Sequence, residues 1–234
     1  MSLLERSLPL IGEDGVKKLN NSSIIVFGVG GVGSWCAEAL VRCGVGKITV
    51  VDGDVVSETN KNRQIIALTS TEGMEKARVC AERLKDINPD CEVTSVNLFY
   101  SAETKDEIDL SEYDYIADCI DTVTSKLLLI ASANELKVPI ISSMGTGNRL
   151  DPSKITVTDI FKTSGDPLAR IMRKELRARN VESLKVVCSL EEPGKCCEGR
   201  NEITGRATPS SAVFVPATAG LRMAYEICYS LLYR

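Results

Sequence analysis

Histidine is missing altogether from this chain of 234 residues. Its absence excludes Ser-His-Asp and Cys-His nucleophilic pairs, a histidine general base and histidine-liganded zinc. Many hydrolase, deaminase and metalloprotease mechanisms go with it. Aromatic residues are scarce at 5%, so the chain does not advertise extensive base stacking. No C-x-x-C pair occurs among the nine cysteines, at positions 36, 43, 80, 91, 119, 188, 196, 197 and 228; this argues against a zinc ribbon or a thioredoxin-like dithiol. Long apolar runs are also lacking: the stretch around 127–133 is far short of the roughly 20 residues that span a bilayer. Glu5, Arg6, Glu13 and Asp14 interrupt the start, where a secretory signal would be basic and then apolar. Scattered cysteines without such a signal read as small buried hydrophobes in a reducing compartment, so the expectation is a cytoplasmic protein with no membrane segment.

What remains is an ordinary globular composition, 44% hydrophobic and 26% charged with a formal net charge of −4, and a length suited to one or two domains. Five short β-branched runs, at 24–27, 48–51, 93–96, 115–117 and 138–141, alternate with helical patterns at about 32–42, 70–86 and 122–134. Such alternation predicts a parallel sheet made of βαβ units. After residue 145 the texture changes. Residues 155–160 alternate as a half-buried, antiparallel-type strand does. A basic helix follows Asp166-Pro167 to about residue 180, a short strand falls at 186–188, a loop at 191–209 and an apolar helix at 211–233. The fold class expected is α/β: a Rossmann-like, mostly parallel sheet of eight strands or so, extended by C-terminal antiparallel strands and helices.

Gly28-Val29-Gly30-Gly31-Val32-Gly33 ends the first strand and opens the first of these helices. Glycines there permit a tight turn and close approach of phosphate to backbone, and the helix N-terminus favours an anion. Asp52 ends the next strand, where a carboxylate can accept bonds from ribose hydroxyls. These features fit NAD and ATP equally. Asn60, Arg63, Gln64, Lys76 and Asp121 then gather at the carboxyl ends of successive strands, where open α/β sheets bind ligands. Hydride transfer leaves that set unexplained. Phosphate activation uses it: Arg and Lys neutralise a triphosphate, and Asp121 can hold Mg²⁺.

Taken together, these residues make the sequence resemble the ThiF/MoeB/ubiquitin-activating adenylating superfamily. The resemblance is carried by Arg6 with Gly12, Gly28–Gly33, Asp52-x-Asp54, Asn60-x-x-Arg63-Gln64, Lys76 and Asp121-x-x-x-x-Lys126. It implies that Gly28, Gly30, Gly31, Gly33, Asp52, Asp54, Asn60, Arg63, Gln64 and Lys76 bind ATP, with Asp52 on the ribose. It further implies that Arg6, Asn60, Arg63, Lys76 and Asp121 serve the reaction, with Asp121 as the Mg²⁺ ligand. Arg6 would reach the partner subunit's ATP, which implies a homodimer. Residues 1–145 would be the ATP-binding half of a single domain and 146–234 its substrate and dimer half.

Ser143-Met144-Gly145-Thr146-Gly147, Asp151-Pro152, residues 157–163, Asp166–Arg170 and Val187-Cys188-Ser189-x-Glu191 extend the likeness. Together with Asn60-x-Asn62-Arg63-Gln64 they resemble the tRNA threonylcarbamoyladenosine dehydratase family. That likeness implies ATP-dependent cyclisation of N6-threonylcarbamoyladenosine at position 37 of tRNA, by adenylation of its carboxylate and intramolecular closure. Cys188 reads better as a buried cysteine than as a thioester nucleophile. Residues 161–206 carry ten Lys/Arg against seven Asp/Glu, and Arg170, Arg173, Lys174 and Arg177 have the spacing of one helical face. Such a stripe can follow a phosphate backbone or simply be solvated. Three alternatives stay open: an adenylyltransferase for the C-terminal glycine of a ubiquitin-like sulfur carrier, a nucleotide-sensing module without turnover, and, last, an NAD oxidoreductase. A sulfur-transfer protein is a possible further partner.

Overall fold

A computed structural model describes residues 3–194 and 209–233. The chain runs α1 (Leu8–Asn20), β1 (Ser23–Phe27), α2 (Gly33–Arg42), β2 (Lys47–Val51), α3 (Lys76–Ile87), β3 (Glu92–Val96), β4 (Tyr115–Asp118), α4 (Val123–Leu136) and β5 (Ile140–Ser143). It continues through β6 (Ile155–Asp159), α5 (Pro167–Ala178) and β7 (Lys185–Ser189) to α6 (Phe214–Leu232). The strands form one sheet in the order β3-β2-β1-β4-β5-β7-β6. All neighbours are parallel except β6 and β7. This is the Rossmann-like sheet with an antiparallel C-terminal extension; the described residues give it seven strands, not eight.

Alternation along each strand splits the core into layers. Ile24 and Val26 of β1 face one cluster with Leu40 of α2 and Met223 of α6. Ile25 and Phe27 face the other side, with Tyr100 and with Leu129 of α4. A third cluster joins α4 and α5 to β7 through Ile130, Met172, Leu176 and Val186. Burial of this kind stabilises by roughly 25 cal/mol per Å² of apolar area. Helix α6 packs across α2. A Cβ on its Gly220 would lie 2.3 Å from the Val32 carbonyl oxygen, so only glycine lets α6 approach α2 so closely.

Three local expectations shift. Helix α3 starts at Lys76 rather than near 70, because Gly73 takes φ +80° and residues 69–71 form a separate 3-10 turn. Strand β5 starts at Ile140 rather than 138, since α4 ends on Lys137 at φ 58°. Helix α1 was not expected; its charges are interspersed and Gly12 kinks it at φ 71°. The segment expected as a loop at 191–209 is irregular where described, and its residues 195–208 lie outside the described residues. Among the described residues no helix is long and apolar enough to cross a membrane.

Candidate active site

Register places the site. Phe27 pairs with Val51 on one side and with Asp118 on the other, so Gly28, Asp52 and Cys119 leave the sheet at one level. The chain turns to β2 on one flank of β1 and reaches β4 on the other. That reversal opens a crevice at the carboxyl ends of the strands, the usual ligand position in an open α/β sheet. A cleft of about 910 Å³ fills it.

Two glycines of the loop are fixed by contact. Gly28 has φ +82°, and a Cβ there would lie 2.8 Å from the Cys119 carbonyl oxygen. At Gly33 a Cβ would stand 1.8 Å from the Gly28 oxygen. Gly30 and Gly31 differ: added Cβ atoms would meet only side chains, none nearer than 3.4 Å. They keep the loop open toward the cleft rather than packed.

Around the loop stand the polar groups. Asp52 accepts the Val29 amide at 2.8 Å and the Asp54 amide at 2.9 Å, leaving acceptor capacity on both oxygens. Burial pushes its carboxyl above the ordinary carboxylate value, against the opposing pull of the Asp54 amide and the Lys76 ammonium. Lys76, nearly buried at the start of α3, reaches Asp54 at 2.9 Å. Asn60 is held by Ser57, whose amide donates to its Oδ1 at 3.1 Å. Arg63 uses one nitrogen on the Thr59 carbonyl and the Asn62 amide oxygen, while Trp35 of α2 donates to its backbone oxygen. Gln64 is buried, lines the cleft, and its Oε1 has no hydrogen-bond partner. An acceptor left orphaned at a cleft wall is a costly arrangement unless a ligand supplies the donor.

Asp121 lines the same cleft, exposed, and accepts the Thr122 hydroxyl at 3.3 Å. The described residues hold no cluster of three or more acidic or cysteine side chains able to cage a metal. A lone free carboxylate is what Mg²⁺ needs when phosphates and waters supply its other oxygens. Arg6 is the exception. It is exposed in the turn before α1 and does not line the cleft of its own chain.

The far end of the cleft was poorly visible in the sequence. Arg149, almost fully buried, donates to the Gly145 carbonyl, to the Glu191 carbonyl at 2.9 Å and to the Asp166 carboxylate at 2.9 Å. Asp166 in turn caps α5 through the Ala169 amide. The Glu191 carboxylate accepts the Leu150 and Asp151 amides. Asn148 takes φ 59° and exchanges two bonds with Ser210. Phe99, which follows β3, is 66% exposed and lies against Gly53 at the cleft edge. Burial pushes the thiols of Cys119 and Cys188 up, so neither is poised as a thiolate nucleophile. On α5 the expected basic face is incomplete: Arg170, Lys174 and Arg177 are exposed, but Arg173 turns to the Thr163 hydroxyl and carbonyl.

A glycine loop at the switch point of a Rossmann-like sheet, ringed by Asp52, Arg63 and Lys76, defines a nucleotide-binding α/β protein. The chain belongs to the ThiF family, which matches residues 4–192. It is 40% identical over 232 residues to the tRNA threonylcarbamoyladenosine dehydratase of Bacillus subtilis, covering 95% of this chain and 91% of that one. Against the dehydratase of Escherichia coli K12 the identity is 44% over 169 residues, 72% of this chain and 63% of that one. The crystal structure of E. coli tRNA N6-threonylcarbamoyladenosine dehydratase in complex with ATP superposes with a TM-score of 0.86 at 36% identity, covering 97% of this chain and 92% of that chain.

Proposed function

We propose that this chain is an ATP-dependent dehydratase that closes N6-threonylcarbamoyladenosine at position 37 of tRNA into its cyclic form. The observation that carries this reading is the continuity of the cleft. It runs from the glycine loop and Asp52 past Arg63 and Asp121 to Gly145, Arg149 and Pro167, so the ATP end and the C-terminal wall share one space. The likeness to the dehydratases extends over both ends, and the chain has no C-x-x-C pairs of the kind that carrier-activating relatives often bear.

The chemistry follows from the groups present. Asp52 would hold the ribose, and the Gly28–Gly33 loop, Asn60, Arg63 and Lys76 the phosphates, with Asp54 orienting Lys76 and the Gln64 oxygen placed to accept from a donor on the nucleotide. The carboxylate of the modified nucleoside attacks the α-phosphorus, the bond to pyrophosphate breaks, and an acyl-adenylate forms. Arg63 and Lys76 offset the charge that grows on the phosphate oxygens. Mg²⁺, held by Asp121, would supply further charge neutralisation at the phosphates. A nucleophilic atom within the same modification then bonds to the activated carbonyl carbon and loses its proton, while the C–O bond to AMP breaks. The nucleophile is already tethered, so positioning replaces a histidine base.

In this reading residues 1–145 are the ATP-binding half and 146–234 the substrate and dimer half. The protein works as a homodimer in which Arg6 completes the partner's site. Arg6 lies outside its own cleft, and Leu10 (83% exposed) on α1 and Phe214 and Leu221 on α6 leave apolar surface uncovered. Helix α5 starts at the cleft with Pro167 and Leu168 and presents Arg170, Lys174 and Arg177 outward, which suits an RNA backbone. The setting is cytoplasmic, and a sulfur-transfer protein is a further candidate partner.

The test is mass spectrometry of mildly hydrolysed nucleosides after incubating threonylcarbamoyladenosine-bearing tRNA with the protein and Mg·ATP. Loss of one water, dependent on ATP and absent with Arg63→Ala, is the expected result. No loss of water by a protein that binds ATP would overturn the reading. Activation of a sulfur carrier ending in Gly-Gly would then be examined by carrier-dependent ATP–pyrophosphate exchange.

A further inference from the structure

Behind the cleft three polar side chains meet with no access to solvent. Asp118, the last residue of β4, and Lys126, in the first turn of α4, are both 0% exposed and close at 2.8 Å. Ser142 of β5 donates to the same carboxylate oxygen at 2.6 Å and accepts from the Lys126 ammonium at 3.0 Å. The other Asp118 oxygen accepts the Ile120 amide at 3.2 Å. Two buried charges cost free energy that an apolar pair of similar volume would avoid. What they supply in exchange is direction. The chain leaves β4 at Asp118, turns through 119–122, enters α4 and sends Lys126 back to Asp118. Asp121 sits in the middle of that closed loop and faces the cleft. The same network holds Ser142, directly before the Ser143–Gly145 wall of the substrate end.

We infer that Lys126 and Asp118 are positioning residues: their sealed ion pair fixes the 118–126 loop so that the Asp121 carboxylate stands opposite the phosphate loop. This rests on the adenylation reading for the role of Asp121, but not on any particular acceptor of the adenylate. Neither side chain touches substrate, and both act through Asp121. The neighbouring backbone shows the coupling. The Cys119 amide donates to the Phe27 carbonyl at 2.8 Å, and the Cys119 carbonyl is the atom that confines Gly28. A displaced 118–122 turn therefore moves relative to the glycine loop itself.

The test uses Asp118→Leu/Lys126→Met, which removes both charges together and leaves neither stranded. Three quantities are read on the full chain: ATP affinity by calorimetry with and without Mg²⁺ and without RNA, the KM for ATP, and kcat. The expected outcome is a folded protein whose metal-free ATP affinity stays within about threefold of wild type. Its gain in affinity on adding Mg²⁺ is lost, and kcat falls about 100-fold, the scale of a misplacement near 1 Å. A purely structural pair would lower Tm and leave the Mg²⁺ gain and kcat unchanged. That result, or a wild type whose ATP affinity ignores Mg²⁺, overturns the inference. If the double variant does not fold, Lys126→Arg, which keeps the charge and moves its donor, is read by the same criteria. A wild type that binds Mg·ATP but dehydrates no tRNA refutes the substrate reading alone, because the calorimetry needs no RNA.

Discussion

Lys76–Asp54 and Lys126–Asp118 close at 2.9 and 2.8 Å, each beyond or at the end of a parallel strand, yet their surroundings differ in kind. The Lys76 side chain is 8% exposed and Asp54 54%, and both line the cleft. Neither member of the other pair has any exposure. If Lys76 turns to a phosphate, Asp54 is left partly in water and loses little. If Lys126 lets go, Asp118 is left charged in an apolar interior. The same two side chains thus make a releasable clamp in one place and a fixed joint in the other, and burial alone separates them.

Substitution should expose this difference most strongly. Lys76→Met is expected to lower turnover about 10²–10³-fold, the scale of one lost transition-state donor, while its stability changes by no more than about 1 kcal/mol, as for partly solvated pairs. Lys126→Met is expected to cost about 3–5 kcal/mol of stability, because it strands a buried carboxylate. Urea titration beside steady-state kinetics checks both. Equal stability losses in the two variants would erase the distinction.

A third class of group belongs to neither pair: Arg6 is charged and exposed but sits away from its own cleft. If it completes the partner's site, Arg6→Ala and Asp121→Ala homodimers are each inactive, and mixing them restores activity. In a two-fold dimer, random exchange gives half heterodimers, each with one intact site, so about a quarter of wild-type turnover returns. No recovery after verified subunit exchange would place Arg6 outside catalysis.

What could be read from the sequence follows the range of each contact. Gly28 and Gly33 are required by atoms within a few residues or one strand away, and Asp52 ends a strand with a clear apolar pattern, so the ATP end leaves a local signature. The knot around Arg149 does not. Its partners Asp166 and Glu191 lie 17 and 42 residues on, and nothing in the spacing joins them. Arg173 shows the opposite failure. Helical periodicity assigned it to the basic face, but that geometry ignores Thr163, a hydroxyl and carbonyl within reach just before the helix. Lys126 was visible as a motif residue, although only burial reveals its function as a joint.

The smallest effect concerns Asp52, the half-buried group that the cleft keeps for a ligand rather than for a protein cation. Its carboxyl is held above the ordinary value chiefly by burial. An acid whose folded-state pKa is raised lends stability below its unfolded value near 3.8, and that stability is lost as pH rises through the folded value. Rising pH therefore weakens the fold around Asp52 when no ligand is bound. Asp52→Asn is expected to lose Tm at pH 4, because its amide nitrogen faces a backbone N–H that a carboxylate oxygen accepted, and to recover part of that loss relative to wild type as pH rises to 8. Its ATP affinity should drop at the same time. Glu38 is the opposite case: burial also raises its carboxyl, but the Arg83 and Arg42 guanidiniums outweigh that and hold it low, so Glu38→Gln should lose stability at pH 7. Differential scanning calorimetry from pH 4 to 8 distinguishes the two carboxylates. A Tm difference between Asp52→Asn and wild type that does not narrow from pH 4 to 8 would mean that the Val29 and Asp54 amides already offset the burial of Asp52.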